Sequence, residues 1–467
     1  MKTDSTAAAG ELERLWDLAG GAADALDRVV LTGDEPALPG LYKVGVQAQA
    51  AIAATGLAAA ELHRARGGPA QDVAVSMRHA AAAFRSEQYV RLDGKPTRDF
   101  FDSIHGFYKC GDGGWVQVHA NYPAHRMAVA ELLHCAYSRE GVQRVFDGMA
   151  AQAVEDLLAA NRLPVGRMRS EDEWAAHPQA AALDAQPVLI LEKIGEAPPR
   201  PLPPVGARPL EGLRVLDLTK VIAGPVCGRT LAEHGADVLQ VTAAHLAHVM
   251  PLVIDANRGK RSAYLDLRKA DQVERLKALA ADADVFAQGY RPGTLAARGL
   301  GPEHLAAIRP GIVYVSLSAF GHQGPWAARR GFDSIVQTCS GIGHAGGVAV
   351  GKDGMKHLPC QALDHASGYL MALGAIMGRL RQAQEGGSWL ARVSLARTGR
   401  WLQSLGKQDA MGADDMTLAA IGDLIEDYGA TAFGHMTGVK PAAELSATPG
   451  HWATPTVPPG AHAPEWR

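Results

Sequence analysis

The feature that most limits the fold of this chain is a regular alternation of β-rich runs and helical stretches after residue 212. LRVLDL at 213–218 reads as a strand and 224–233 as a helix. DVLQV at 237–241 and SAYLDL at 262–267 read as further strands. A helix at 272–281 follows, and then strands DVFA at 284–287 and IVYVSL at 312–317. Short apolar strands separated by helices predict a mostly parallel sheet with both faces covered, because parallel neighbours need crossover connections. Ligands on such sheets sit beyond the carboxyl ends of the strands, so residues 211–400 are expected to hold the chemistry.

The run GEAPPRPLPPVGARPLEG at 195–212 divides the chain. Its prolines remove backbone donors and favour extended structure, which suits a connector. Before it the sequence is mainly helical, with an Ala-rich helix at 46–66, two helices within 131–161 and a strand at 114–119. The predicted organisation is a helical segment at 1–83, a small α+β domain at 84–194, the linker at 195–212, a Rossmann-like α/β domain at 213–400 and a tail at 401–467. The last 21 residues are again Pro-rich and are expected to wrap a surface or fray. An internal repeat links the two sides of the linker. Residues 44–77 resemble 363–395, with Gly56 opposite Gly374, Leu62 opposite Leu380, Gly67-Gly68 opposite Gly386-Gly387 and Val75-Ser76 opposite Val393-Ser394. In that register Val46 stands opposite Asp364, so one copy offers a carboxylate and the other does not.

Composition narrows the function classes. Lys plus Arg number 46 against 49 Asp plus Glu, a net charge of −3 that leaves no basic footprint for nucleic acid or an anionic membrane. No run of 18 apolar residues is present and the start lacks a signal-peptide core, so a cytoplasmic protein is expected. The five cysteines form no CxxC pair, which points to neither a zinc site nor a disulfide framework. No G-x-G-x-x-G follows a strand, and GxxxxGK(S/T), HExxH and GxSxG are absent. What remains is Asp364, in QALDHASG at the start of an apolar helix. There the helix dipole and free amides favour a carboxylate, and small neighbours leave it accessible. Taken alone, an aspartate at such a place reads first as a simple N-cap, and the pattern by itself does not establish catalysis.

From 210 to 395 the chain resembles the family III CoA-transferases, the group that contains formyl-CoA and carnitine CoA-transferases. The resemblance rests on LEGLRVLDLTKVIAGPVCGRTLAEHGADVLQV (210–241), NRGKRSAYLDL (257–267), DADVFAQGYRPGTLAARGLG (282–301), SLSAFGHQGPWAARRGFDSIVQTCSG (316–341) and ALDHASGYLMALGAI (362–376). FYKCGDGGWV (107–116) and LPVGRM (163–168) resemble the family's small domain, which here precedes the larger one, as in two truncated copies fused in tandem.

The resemblance implies that Asp364 is a nucleophile exchanging CoA between an acyl-CoA thioester and a carboxylic acid, through an aspartyl anhydride and an aspartyl-CoA thioester. Asp333 and Gln337 would order that site. Ile222 and Ala223 would line the thioester end, and Lys260, Gln288, Gly289, Tyr290 and Arg298 would face CoA, which acts as substrate rather than a tightly bound cofactor. Gln288-Gly289 stand where the family often has Glu-Asn, and the turn at 102–106 takes the place of a glycine-rich loop. A racemase of this fold would need a histidine before Asp333, where Phe332 stands, and phenylalanine cannot act as a base. His322 and His365 read as surface or packing residues. Alternatives on the same scaffold are an isomerase, a lyase or a CoA-thioester-binding subunit with weak activity. A homodimer is implied, with no metal, nucleic acid or membrane partner.

Overall fold

The computed structural model describes residues 2–3, 5–97, 101–409, 411 and 414–467. Strands β1 (Ile190–Gly195), β2 (Arg214–Leu218), β3 (Asp237–Thr242), β4 (Arg261–Tyr264), β5 (Val285–Gln288), β6 (Val313–Ser318) and β7 (Ser388–Ser394) form one sheet in the order β4-β3-β2-β5-β6-β7-β1. Six strands run parallel, and β1 pairs antiparallel with β7 at the edge. The α/β expectation holds, with one boundary moved: the segment assigned to the end of the small domain supplies β1. The chain leaves β2 toward β3 on one side and later returns to β5 on the other, so the switch point lies between β2 and β5.

Four helices position the site: α1 (Val44–Ala65), α2 (Ala223–Glu233), α3 (Asp333–Cys339) and α4 (Ala362–Glu385). Both α1 and α4 are buried over nearly their whole length, which their Ala- and Gly-rich composition permits. Glycines set the distances. A Cβ on Gly374 would fall 2.7 Å from Ala391, and one on Gly378 2.8 Å from Val313, so α4 lies directly on β7 and β6. At Gly368 an added Cβ would meet the Ala223 carbonyl at 2.5 Å and Val226 at 2.7 Å, where α4 crosses α2.

The internal repeat is structural. Val29–Thr32 and Val73–Ser76 pair in parallel with Thr32 opposite Ser76, as β6 and β7 pair with Ser318 opposite Ser394. Ser76 caps the helix Met77–Ala83 by accepting from His79 N at 3.2 Å, and Ser394 caps Leu395–Ser404 by accepting from Arg397 N at 3.3 Å. Gly56 of α1 approaches Val73 in its own copy, as Gly374 approaches Ala391, three residues before the capping serine in each case. The helix starts also match. Glu35 accepts from Val46 N at 2.9 Å, and Asp333 accepts from Asp364 N at 2.9 Å. Each copy therefore places a foreign carboxylate beneath the same two amides.

The small domain pairs Gly106–Lys109, Trp115–Val118 and Val165–Arg167, with helices Pro123–Leu132, Arg139–Phe146 and Ala151–Ala160 around one core. Its Gly166 lies against Cys339 of α3, where a Cβ would come within 2.8 Å of the sulfur. Buried Glu155 pairs with Arg169 and with Arg329 (2.9 Å), tying the stretch before α3 to this domain. Residues 84–97 belong elsewhere: Arg91–Leu92 joins a C-terminal hairpin made by Ile425–Thr431 and Gly434–Val439. The tail wraps the large sheet, with a bridge between His462 and Ala263 and the Trp452 ring 4.0 Å from the Arg258 guanidinium.

Gly368→Val forces α2 and α4 apart at their closest crossing. Overpacking of this kind costs about 1–3 kcal/mol, so a clear fall in melting temperature is expected; an unchanged thermal transition would contradict this packing.

Candidate active site

Asp364 is the third residue of α4, and Gln361, at the N-cap position, makes no side-chain cap. The first amides of a helix have no partner within it. Asp333 supplies one from outside: its Oδ2 accepts from Asp364 N, and the Leu363 amide also reaches this carboxylate. Gln337, one turn further along α3, donates to Asp333 Oδ1 and accepts from Leu358 N at 2.8 Å. The simple N-cap reading is thereby corrected. Asp364 is capped rather than capping, and its carboxyl, which no hydrogen bond reaches among the described residues, borders the cleft described below.

Electrostatics at this pair oppose ionisation. Burial, then the Asp333 charge, then the Glu87 charge hold the Asp364 carboxyl well above the ordinary range. Burial pushes Asp333 up to about 6 against the hydrogen bonds it accepts. Two carboxyls this close cannot both carry full charge cheaply, so the pair titrates as a unit.

A cleft of ≈ 460 Å³ opens at the switch point, bordered by Leu218 at the end of β2, the turn after β5 and Leu317 of β6. Asp364, Ala223, Gly289, Tyr290 and Phe332 line it. Val221, also in its wall, holds φ at +75°, a strained value for a β-branched residue. The strain turns the chain into α2, whose first residues face the cleft. A smaller cavity of ≈ 160 Å³ adjoins it, lined by Thr242, Leu265, Arg268 and Arg298 and sharing Tyr290 and Thr294 with the cleft. The Arg298 guanidinium is held by the carbonyls of Leu267 (3.0 Å) and Thr294 (2.8 Å).

The structure thus brings together Asp364, Ala223, Gly289, Tyr290 and Arg298 along one continuous recess, with Asp333 and Gln337 directly behind Asp364. Gln288 acts on the turn itself, donating to Ser316 Oγ at 2.7 Å and accepting from Tyr290 N at 2.8 Å. Ile222 is buried at the N-cap of α2. Lys260 is not brought to the recess. It is fully buried below α2, with Nζ 2.8 Å from both Asp217 Oδ2 and the Pro225 carbonyl, because buried Asp217 needs a counter-charge. The 102–106 turn does not border the cleft, and Asp102 pairs with Arg126 at 2.8 Å.

Several cleft residues had no signal at the sequence level. Lys220, Arg291 and Arg330 give its wall positive charge. Burial lowers Lys220 to about 8; its Nζ donates to the Ala247 carbonyl at 2.6 Å and lies 5.5 Å from the Tyr122 ring centre. Arg330 meets His125 Nε2 at 2.9 Å, and burial holds that histidine down to about 4. His125 and Tyr122 come from the N-terminal half, and Phe332 stacks on His119 of the same domain (3.7 Å, 9°). The Arg329-Arg330 pair just before Asp333 was the one visible hint.

A mostly parallel sheet with a carboxylate-bearing helix beside the cleft at its switch point defines an α/β protein with one candidate site. The model of CoA-transferase family III matches residues 19–193 and 210–434, and the chain belongs to that family. It is 34% identical over 207 residues to an acetyl-coenzyme A transferase of Hypoxylon pulicicidum (43% of this chain, 35% of the relative). It is 36% identical over 195 residues to the succinyl-CoA:glutarate CoA-transferase of Mus musculus (39% and 44%), and 27% identical over 418 residues to an acyl-CoA transferase of Gibberella moniliformis (79% and 73%). The chain spans 35% and 44% of the length of the first two of these relatives. A crystal structure of a hypothetical protein from Mycobacterium tuberculosis aligns at 32% identity and a TM-score of 0.40, covering 43% of this chain and 58% of that one. Among the described residues no helix is long and apolar enough to cross a membrane, and no group of three or more His, Cys, Asp or Glu could hold a metal ion.

The raised Asp364 value sets a stability prediction. The folded chain holds this proton more tightly than the unfolded one, so the group's contribution is fully present below the unfolded value and is lost as pH rises through the folded one. Asp364→Asn is therefore expected to melt higher than the parent at pH 8, with the gap closing toward pH 4. A lower melting temperature for the variant at pH 8 would refute the buried-carboxyl reading.

Proposed function

We propose that the protein is an acyl-CoA:carboxylate CoA-transferase with Asp364 as its nucleophile. The observation that carries this reading is a carboxylate whose own amide is fixed from behind and which borders a recess leading to an arginine-lined cavity. In the first step an Asp364 oxygen attacks the thioester carbonyl. The C–S bond breaks, CoA leaves as thiolate and a mixed anhydride forms. The thiolate then attacks the aspartyl carbonyl, the acyl group departs as its carboxylate, and an aspartyl-CoA thioester remains. An acceptor carboxylate reverses these two steps, leaving acceptor-CoA and free Asp364. No net proton is consumed, which suits a site where the charge passes between carboxylate and thiolate.

Each tetrahedral intermediate needs donors aimed at its oxyanion. Ala223, the first residue of α2, borders the same cleft as Asp364, and its backbone amide suits that role. Arg298 and Tyr290 suit the adenosine end of CoA, while Arg291, Arg330 and Lys220 suit its phosphates. The apolar wall of Phe332, Leu317 and Leu395 suits the acyl group. In this reading the site is complete within one chain, since His125 lines the cleft from the N-terminal half and Tyr122 lies beside Lys220 of its wall. One nucleophile per chain is the result, in a monomer or in the homodimer implied by the resemblance, and light scattering separates those two.

The test is covalent trapping. The protein is incubated with a panel of acyl-CoAs, reduced with borohydride and mapped by mass spectrometry. Homoserine at Asp364, at one per chain and absent from Asp364→Ala, is expected. CoA binding with no adduct from any donor would replace the transferase with a binding subunit. Arg298→Ala is expected to weaken CoA-thioester binding about tenfold, the loss of one charged hydrogen-bonding group, measured as KM with kcat little changed.

A further inference from the structure

Residues 84–89, from the copy that lacks a catalytic aspartate, lie against the first turns of α4. Phe84 stacks on His365 (5.5 Å, 24°) and on Tyr369 (6.0 Å, 7°). Ser86 donates to Asp255 Oδ2 at 2.8 Å and accepts from Arg229 at 3.0 Å, which bolts the segment to α2 and to the helix Met250–Ala256. The neighbouring Glu87 places Oε2 3.0 Å from His365 Nε2; the imidazole is fully buried and the Glu87 side chain is 10% exposed. Neither Glu87 Oε1 nor His365 Nδ1 has a partner among the described residues.

The charged groups around this pair come from every element packed on it. Glu87 arrives from the first copy, Asp333 from α3, Asp364 from α4 itself, Asp255 from the helix Met250–Ala256 and Arg229 from α2. Arg229 is committed to Asp255 and Ser86. Arg85, two residues before Glu87, is held by Gln88 and Asp415, and the Cys360 thiol also faces Glu87; among the described residues the basic group left uncommitted against Asp333, Asp364 and Glu87 is the imidazole of His365.

We propose that Glu87 and His365 form a positioning ion pair that offsets part of the carboxylate charge around Asp364 and helps it ionise for attack. The proposal rests on the reading of Asp364 as nucleophile and adds that a side chain just beyond the first copy tunes the second copy's site. The charges explain why both partners are needed. Glu87 alone would hold a bare negative charge toward Asp364, adding to the repulsion from Asp333. The imidazolium opposes that charge from 3.0 Å, and it also lowers the cost of ionising Asp333.

The experiment compares His365→Gln with the double variant Glu87→Gln/His365→Gln. His365→Gln leaves Glu87 uncompensated, so the acid limb of the kcat/KM profile is expected to move up by about one pH unit. The double variant removes equal and opposite charges, and its limb is expected to return to within a few tenths of the parent's. A purely structural pair would give the reverse: a fall in melting temperature in both variants, no shift of the limb and no rescue by the second change. A second readout needs no turnover. The carboxylic C=O infrared band that disappears in Asp364→Asn reports the protonation midpoint of Asp364 directly, and the same shift and rescue are expected there. A parent protein that forms no aspartyl-CoA adduct while the infrared midpoint still shifts and recovers would overturn the nucleophile reading and leave the ion pair standing. An unmoved midpoint in His365→Gln would overturn the ion pair.

Discussion

Asp333 accepts hydrogen bonds from amides of a helix it does not belong to, and three separately packed pieces meet in that contact. Behind it, α3 is pressed on the small domain where Gly166 admits Cys339. In front, α4 is fixed on the sheet through Gly374 and Gly378 and on α2 through Gly368. The carboxylate at their junction satisfies the exposed start of α4 and fixes the first turn from which the Asp364 side chain projects. Loss of this acceptor would leave buried amides unsatisfied as well as loosening Asp364, so the stability of the helix start and the aim of its carboxyl are set by the same bond.

The arrangement is costly for the folded state. Asp333, Asp364 and Glu87 crowd a dry region, and burial is the largest cause of the upward shifts at both aspartates. Such a cluster is poor design for stability alone, and active sites are where proteins retain groups of this kind. Val221, strained at φ +75° in the same wall, belongs with them.

Most of the large sheet was legible because its strands are apolar, β-branched and buried on both faces. Their ends shifted by one to three residues, as where the run at 262–267 becomes Arg261–Tyr264. The place of Asp364 was legible from the start of its apolar helix and from the resemblance. What escaped was whatever depended on a distant partner. Nothing near 87 or 122 in the sequence marks those residues as neighbours of 364, because the tandem arrangement that brings them together is a tertiary fact. Lys260 misled for the same reason: in NRGKRS it has the look of a phosphate ligand, and only the fold shows that Asp217 claims it. The edge strand β1 was hidden by the proline linker that follows it, which drew the boundary too late, after the strand instead of before it.

In a symmetric dimer every substitution is made twice, once at each site, and a change that spoils one spoils both. Here the two copies share a chain and mutate separately. The helix start at Val46 keeps its Glu35 cap but carries no acid of its own, and Met77 and Ala37 crowd the adjoining Gly45. Freed from chemistry, that copy can be selected for what it does to its neighbour alone, and the contacts of Phe84, Ser86 and Glu87 on α4 and its surroundings are where such selection would act.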